Sequence, residues 1–212
     1  HERKFMTIEQ PPQHLTIWRD HLKPEFFERY CKISKNDDRW ESAELIKHRG
    51  YKSFLDAGCG LGAITTVFKE INYEIDYYGC DITKQYVNHC TKLGLNVSQQ
   101  NIEKTTYNDN QFECTGCFAV LNHQLDYRAS IKELLRITEK EIIISFFKVW
   151  EEHAIQGRNY SGKHKMYKNI FGLIEERNVD NNKNVICIYN FINKHNLVNF
   201  LKSIPNIYYS FY

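Results

Sequence analysis

Short apolar segments alternate with amphipathic ones between Lys52 and Trp150, and this alternation constrains the fold more than any other feature of the chain. The apolar segments have the length and composition of buried strands, and the intervening ones have the periodicity of helices. Strands joined through helices run parallel, so the pattern predicts an α/β fold with a doubly wound, mostly parallel sheet and helices on both faces. The predicted strands are SFLDA, IDYYGCD, NVSQQ, FECTGCFAVL and EIIISFFKVW, and the predicted helices are GAITTVFKEI, TKQYVNHCTKL and DYRASIKELLRIT.

The flanking segments predict an N-terminal helical extension over residues 1–50, followed by a domain over residues 51–212, both within one structural domain. Apolar spacing in residues 13–34 predicts one kinked or two short helices, and a further helix is expected to begin near Asp37 or Asp38 and end at Gly50. Beyond the alternating region, NVICIYNFI and NIYYSFY predict strands, and HNLVNFLKSI predicts a helix.

Composition narrows the class of protein without naming a function. The net charge of +2, from 28 basic and 26 acidic residues, is too balanced to indicate a nucleic-acid-binding protein. The chain has neither a membrane-length apolar run nor the apolar run of a signal peptide, so we expect a soluble cytoplasmic protein that does not bind membranes. The seven scattered cysteines favour reduced thiols, and Cys114 and Cys117, although spaced as C-x-x-C, should point to opposite faces of one strand rather than hold a metal.

The stretch SFLDAGCGLGAIT places a glycine-rich turn between the first strand and its helix. Gly58, Gly60 and Ala63 fit the G-x-G-x-x-G/A pattern that seats a dinucleotide pyrophosphate, so the glycines alone allow a nicotinamide or flavin cofactor. Asp56 argues against that interpretation, because a carboxylate at the strand end is unfavourable beside two phosphates. It suits a cofactor with a cationic amino-acid end, such as S-adenosylmethionine, whose ammonium group it can contact directly or through water.

Four motifs resemble those of class I S-adenosylmethionine-dependent methyltransferases, in the family's order, over roughly residues 50–150. LDAGCGLG resembles the first motif, and Asp81 stands 23 positions after Gly58, where the family places an acid that binds the ribose hydroxyls. Asn101, followed by an apolar residue, stands where the family usually has an Asp that holds the adenine. The segment CFAVLNHQL resembles the family's fourth strand and its L-x-H turn, which includes His123. Taken from its sequence alone, Asp81 also fits a second role, capping the following helix through amides near Tyr86.

The resemblance implies a Rossmann-like fold, S-adenosyl-L-methionine as cofactor and S-adenosyl-L-homocysteine as product. It also implies a cofactor site, with the following members: Asp56, Gly58, Cys59, Gly60, Gly62, Asp81, Ile82, Asn101, Ile102 and Phe118.

His123 is the candidate catalytic residue, because a histidine at the end of the fourth strand can act as general base for a hydroxyl acceptor. The alternative is a histidine that only holds the turn in place. The chain lacks the N/D/S-P-P-aromatic tetrad of enzymes that methylate base amines, a Pro-Cys nucleophile, and the carboxylates of metal-dependent relatives. We therefore expect metal-independent O- or N-methylation of a small-molecule acceptor, either hydroxylated or anionic.

A basic and aromatic segment over residues 148–172 is expected to form a lid over the acceptor. Arg158, Tyr160, Lys163, His164 and Lys165 are its candidate anion-binding residues, although a run of lysines is more often a solvated face. The same segment supports a second hypothesis, an RNA or nucleotide methyltransferase whose lid contacts phosphates; its RNA binding would depend on salt. A third hypothesis is a cofactor-binding scaffold without catalytic activity, which would bind S-adenosylmethionine without turnover.

Overall fold

The computed structural model describes residues 33–124, 126–146, 149–150, 165–169, 172–178 and 186–211, and from residue 149 to residue 191 it describes the backbone alone. In chain order the elements are α1 (Asp38–Arg49), β1 (Ser53–Ala57), α2 (Ile64–Glu70), β2 (Asp76–Asp81), α3 (Lys84–Lys92), β3 (Val97–Gln99), β4 (Phe112–Phe118), a 3₁₀ turn (Leu121–His123), α4 (Tyr127–Ile137), β5 (Thr138–Ser145), β6 (Val149–Trp150), β7 (Lys165–Asn169), β8 (Gly172–Asn178), β9 (Ile186–Asn193) and α5 (Lys194–Lys202).

The first five strands form a parallel sheet in the order β3-β2-β1-β4-β5. The chain winds outward from β1 to β3, then returns to the centre and winds the other way through β4 and β5. The order therefore reverses between β1 and β4, and a ligand crevice is expected outside the carboxyl ends of these two strands. This arrangement confirms the predicted doubly wound α/β fold.

Apolar side chains cover both faces of the parallel sheet. One buried cluster lies under α4 and α5, with the members Leu55, Ala57, Cys80, Ile102, Phe112, Cys117, Leu121, Tyr127, Ile131, Leu134, Ile137, Ile192 and Leu197. A second buried cluster lies under α1 and α2, with the members Ala43, Ile46, Phe54, Ile64, Val67, Phe68 and Cys114. Cys114 and Cys117 thus lie on opposite faces of β4, as their spacing predicts, and both are free thiols.

Helix α1 begins and ends where the sequence predicts. The Asp37 carboxylate accepts a hydrogen bond from the amide of Arg39 and caps the helix, and Gly50 ends it with a left-handed φ of 72°. Ala43 and Ile46 are fully buried against β1 and α2. The described part of the N-terminal extension is therefore packed into the same core as the sheet.

The remaining strands form a second sheet in the order β6-β9-β8-β7, in which β7, β8 and β9 are antiparallel neighbours. Strand β9 lies against the 3₁₀ turn, and its Ile192 is buried in the same cluster as Leu121. Most of the expected lid, including Arg158, Tyr160, Lys163 and His164, lies outside the described residues. Lys165 lies in β7, where only the backbone is described.

The prediction of a strand at NIYYSFY is wrong for residues 207–211, the part described there, which form neither strand nor helix. Asn206 turns the chain with a φ of 61°. Two of the aromatic side chains contact each other instead, with the ring centres of Tyr209 and Phe211 5.9 Å apart. A segment with an alternating pattern forms a strand only where it can pair with a neighbouring strand, and periodicity alone does not show whether such a neighbour exists. No helix in the described ranges is long and apolar enough to cross a membrane.

Candidate functional site

The glycine-rich loop turns tightly over the end of β2. The amides of Gly58 and Cys59 both donate to the carbonyl of Cys80, at 2.8 and 2.9 Å, and the amide of Gly62 donates to the carbonyl of Cys59 at 2.8 Å. Gly58, Gly60 and Gly62 have φ values of 76°, 53° and 69°. Side chains other than glycine rarely adopt this left-handed conformation, so glycine is strongly favoured at these positions.

The three glycines face different surroundings. A Cβ on Gly58 would lie 2.5 Å from a methyl of Val120, and one on Gly62 would lie 2.7 Å from a methyl of Leu95, so both positions are filled by neighbouring side chains. A Cβ on Gly60 would meet nothing within 4 Å. The loop therefore presents an open face at Gly60, the one of the three where a ligand can approach the backbone.

Asp56 lies one residue before the end of β1 and is 5% exposed. Its Oδ2 accepts a hydrogen bond from the Tyr77 hydroxyl at 3.1 Å. Burial raises the pKa of the Asp56 carboxyl to about 7, although the Tyr77 hydrogen bond and the charge of Arg39 both act to lower it. A cationic group brought to this carboxyl would favour its ionised form.

Asp81 ends β2 and holds the other side of the loop. Its Oδ2 accepts the amide of Gly60 at 3.0 Å, and its Oδ1 accepts the amide of Thr83 at 2.8 Å. Burial raises the pKa of Asp81, while these amide hydrogen bonds oppose the rise. The Thr83 hydroxyl and the Ile82 amide also hydrogen-bond this carboxylate, so Asp81 is firmly held at the end of β2. Thr83 precedes α3, so Asp81 binds the amide before this helix rather than one near Tyr86.

Ile82 follows β2, and Asn101 and Ile102 follow β3; these three predicted cofactor-binding residues differ in burial and in hydrogen bonding. Ile82 is half-buried, and its carbonyl accepts a hydrogen bond from the Gln99 side chain. The Asn101 side chain accepts the amide of Glu103 at 3.0 Å and hydrogen-bonds the Glu103 carboxyl, so these two residues form one polar pair. Ile102 is 6% exposed and packs into the first cluster, which leaves its backbone for any ligand contact.

The carboxyl end of β4 carries the 3₁₀ turn with His123. Phe118 is half-buried and packs against the second cluster. Ala119 has a left-handed φ of 59°, held by hydrogen bonds from its amide to the carbonyl and hydroxyl of Ser145. Such strain in a residue with a Cβ is characteristic of functional sites. His123 is half-buried, and its amide donates to the carbonyl of Val120 at 2.9 Å.

The first turn of α1 reaches the same edge of the sheet, a feature that sequence reasoning missed. Arg39 makes a two-pronged ion pair with Asp37, with its closest nitrogen and oxygen 2.7 Å apart, and its charge also acts on Asp56. The neighbouring Asp38 carboxyl accepts a hydrogen bond from Ser145. The helix cap was readable in the sequence, but no local signal indicates that an arginine there lies beside the end of β1.

The arrangement therefore brings Asp56, the glycine loop and Asp81 together at the carboxyl edge of β1 and β2. Val120 joins the turn with His123 to this loop through its contact with Gly58. No group of three or more His, Cys, Asp or Glu side chains in the described part of the chain is placed to hold a metal ion.

Comparison with known proteins supports a methyltransferase domain in this part of the chain. Residues 55–146 match a family model described as a methyltransferase domain. Among solved structures, the PH0226 protein of Pyrococcus horikoshii is 16% identical with a TM-score of 0.56, over 82% of this chain and 88% of that one. An S-adenosylmethionine-dependent methyltransferase from Clostridium acetobutylicum is 14% identical with a TM-score of 0.56, over 84% of this chain and 85% of that one.

Two further comparisons are more limited. The YcgJ protein of Bacillus subtilis is 22% identical with a TM-score of 0.46, and the match covers 54% of this chain and about half of that one, 53%. A comparison with curated protein sequences finds no match. The family match spans the glycine loop, Asp56, Asp81 and the turn with His123, and the parallel sheet has the fold of the two structures with the higher TM-scores. The chain therefore contains a region, residues 55–146, that matches a methyltransferase domain, and its parallel sheet shares the fold of an S-adenosylmethionine-dependent methyltransferase.

Proposed function

We propose that this enzyme methylates a hydroxyl or amine of a small-molecule acceptor without a metal ion, with His123 as general base. The observation that carries the proposal is the contact between Gly58 of the glycine loop and Val120, the residue immediately before the turn with His123. A base on that turn lies beside whatever the loop binds, so an acceptor held against the turn lies next to the methyl group.

The cofactor is proposed to be bound by charged side chains on both sides of the glycine loop. Asp81 accepts hydrogen bonds from the ribose hydroxyls, since its carboxylate is held at the carboxyl end of β2 by hydrogen bonds from Gly60 and Thr83. Asp56 takes the ammonium group of the methionine moiety, and Arg39 takes the carboxylate, because these two opposite charges lie together at the end of β1. The open face at Gly60 leaves room for the chain between them.

The adenine is proposed to lie beyond β3, against Asn101, Ile102 and the backbone of Ile82. Phe118 is proposed to contact the other end of the cofactor, because β1 and β2 separate its strand, β4, from β3. Asn101 and Glu103 are already hydrogen-bonded to each other, so the pair rather than Asn101 alone offers acceptors to the exocyclic amine. The loop residues contribute to the cofactor site only by shaping the backbone of the loop; they are Gly58, Cys59 and Gly62. These assignments follow the expected site and add Arg39 and Glu103 to it.

S-adenosylmethionine supplies an electrophilic methyl group on a sulfonium, so the protein needs only to align the acceptor, remove a proton and exclude water. We assign this proton transfer to the half-buried His123, because an imidazole can accept a proton from a hydroxyl. Strand β9 covers one side of the turn, with Ile192 packed in the cluster that contains Leu121. A site that is covered on this side favours a compact acceptor over an extended polymer.

Calorimetry with S-adenosylhomocysteine and with NAD, followed by an acceptor screen that measures S-adenosylhomocysteine release, tests the proposal. His123→Ala should bind S-adenosylhomocysteine within about twofold of the unmodified enzyme but lose about 10²–10⁴-fold in kcat. His48→Ala is the matched control, because His48 is exposed in the last turn of α1. Unchanged turnover in His123→Ala would exclude a base at this position. Salt-dependent methylation of RNA, with small acceptors inert, would replace the proposed acceptor class.

A further inference from the structure

Two cysteine thiols meet beneath the glycine loop. Cys59 lies in the loop and Cys90 lies in α3, and both thiols point at the carbonyl oxygen of Gly60, from 3.8 and 3.4 Å. The two side chains also hydrogen-bond each other. Cys59 is 8% exposed and Cys90 is fully buried. Two thiols from separate elements are therefore in direct contact at the centre of the cofactor loop.

The pair is closely surrounded. A Cβ on Gly79 in β2 would lie 3.1 Å from the sulfur of Cys59, and one on Gly62 would lie 3.7 Å from the sulfur of Cys90. The thiols thus fill the space between the loop, β2 and α3. By contrast, Cys114 lies on the opposite face of β4 from Cys117, so those two cannot reach each other.

We propose that Cys59 and Cys90 are an oxidation site, at which a peroxide forms a disulfide that lowers the affinity of the enzyme for its cofactor. The first part stands on the contact between the thiols. The second part rests on the proposed placement of the cofactor against the same loop.

The chemistry balances with peroxide as the oxidant. The Cys59 thiol attacks one peroxide oxygen, the O–O bond breaks, and the departing hydroxide takes the proton of that thiol to leave as water. The Cys90 thiol then attacks the resulting sulfenic sulfur, and the S–OH oxygen leaves as a second water with the proton from Cys90. Cys59 reacts first because it is partly exposed, whereas Cys90 is fully buried.

The disulfide between Cys59 and Cys90 would change the glycine loop in two ways. A disulfide is about 2 Å long, shorter than a hydrogen-bonded contact, so the loop must move toward α3. The Gly60 carbonyl also loses both of its S–H donors. Because the amide of Gly60 is hydrogen-bonded to Asp81, this movement acts directly on the carboxylate assigned to the ribose.

The test treats the reduced enzyme with hydrogen peroxide, blocks remaining thiols, and maps the peptides under non-reducing conditions. We expect a Cys59–Cys90 cross-link, and S-adenosylhomocysteine affinity that falls at least tenfold and recovers with dithiothreitol. In Cys90→Ala the ratio of affinities before and after peroxide should be near one. Cys114→Ala, with a buried thiol outside the pair, should keep the full effect.

Absence of the cross-link in the unmodified enzyme would overturn the oxidation site, and this readout needs no variant. A cross-link with unchanged S-adenosylhomocysteine affinity would overturn the effect on the cofactor. Failure of the reduced enzyme to bind S-adenosylhomocysteine would instead refute the proposed cofactor site, while peptide mapping would still decide whether the thiol pair is oxidised.

Discussion

The ionisation of Asp56 allows a pH test of the contact between this carboxyl and the cofactor's ammonium group. Burial raises the pKa of Asp56 to about 7 in the free protein. The proposed contact requires the ionised carboxylate, so binding must release a proton wherever the free protein holds one. Affinity for S-adenosylhomocysteine should therefore rise with pH through a midpoint near 7.

The magnitude follows from the midpoint. With a pKa of about 7, roughly 0.1 of Asp56 is ionised at pH 6 and roughly 0.9 at pH 8. The affinity should thus increase about tenfold across this range, equal to about 1.4 kcal/mol of binding free energy. At pH 7 about half a proton should be released for each molecule bound.

Calorimetry at pH 6, 7 and 8, in two buffers of different ionisation enthalpy, measures both quantities. Tyr77→Phe supplies the sharper comparison, because it removes the hydroxyl that hydrogen-bonds Asp56 and helps to lower its pKa. The midpoint should move upward in this variant. Tyr73→Phe is the matched control, since its hydroxyl donates to the carbonyl of Tyr51 and not to Asp56.

The stability of the free protein offers an independent measurement on the same group. The folded pKa of about 7 exceeds the unfolded value of 3.8, so the folded state binds the extra proton between these values. The contribution of Asp56 to the free energy of unfolding should therefore fall by about 3 kcal/mol as pH rises from 4 to 7. Asp56→Asn should lose that slope. If the slope is present but S-adenosylhomocysteine affinity stays flat from pH 6 to 8, Asp56 titrates without contacting the ammonium group, and the assignment is refuted.

Two further predictions test the loop and the ribose contact. Gly60→Ala and Gly94→Ala both place a Cβ in open space at a left-handed φ, 53° and 77°, so each should lower the free energy of unfolding by about 1 kcal/mol in urea denaturation. Only Gly60→Ala should weaken S-adenosylhomocysteine binding, by at least tenfold in calorimetry, and equal affinities would move the cofactor away from that face. Asp81→Ala should weaken the same binding by about 1.5–3 kcal/mol, because hydrogen bonds to a charged group are lost, and unchanged affinity would contradict the ribose role.

The sequence was sufficient where the structure depends on local signals. The alternation of strands and helices predicted the parallel sheet, and Asp37 and Gly50 marked the ends of α1. The glycine pattern located the loop, because a left-handed φ at three alternate positions leaves few other residue choices. Each of these features follows from residues within one turn or one strand.

Contacts between distant segments could not be predicted in this way. The charge of Arg39 acts on Asp56 across 17 positions in the chain, and Cys59 of the glycine loop meets Cys90 of α3. Both contacts depend on how helices dock on the sheet, which periodicity does not specify. The pairing of β9 within a second sheet is equally non-local, since it requires the strand to find a partner other than β5.

The cofactor end of the site is held in place by its own hydrogen bonds, and this bears on where acceptor specificity arises. Asp81 already binds the amides of Gly60 and Thr83, and the loop amides already bind the carbonyl of Cys80, so cofactor binding needs little reorganisation. A preformed loop of this kind suits one cofactor and many acceptors. Discrimination between acceptors must then come from groups that the cofactor does not use. If the acceptor binds where we propose, these groups lie on the turn with His123 and on the end of β9 packed against it, so acceptor selectivity should change with substitutions there while cofactor affinity does not.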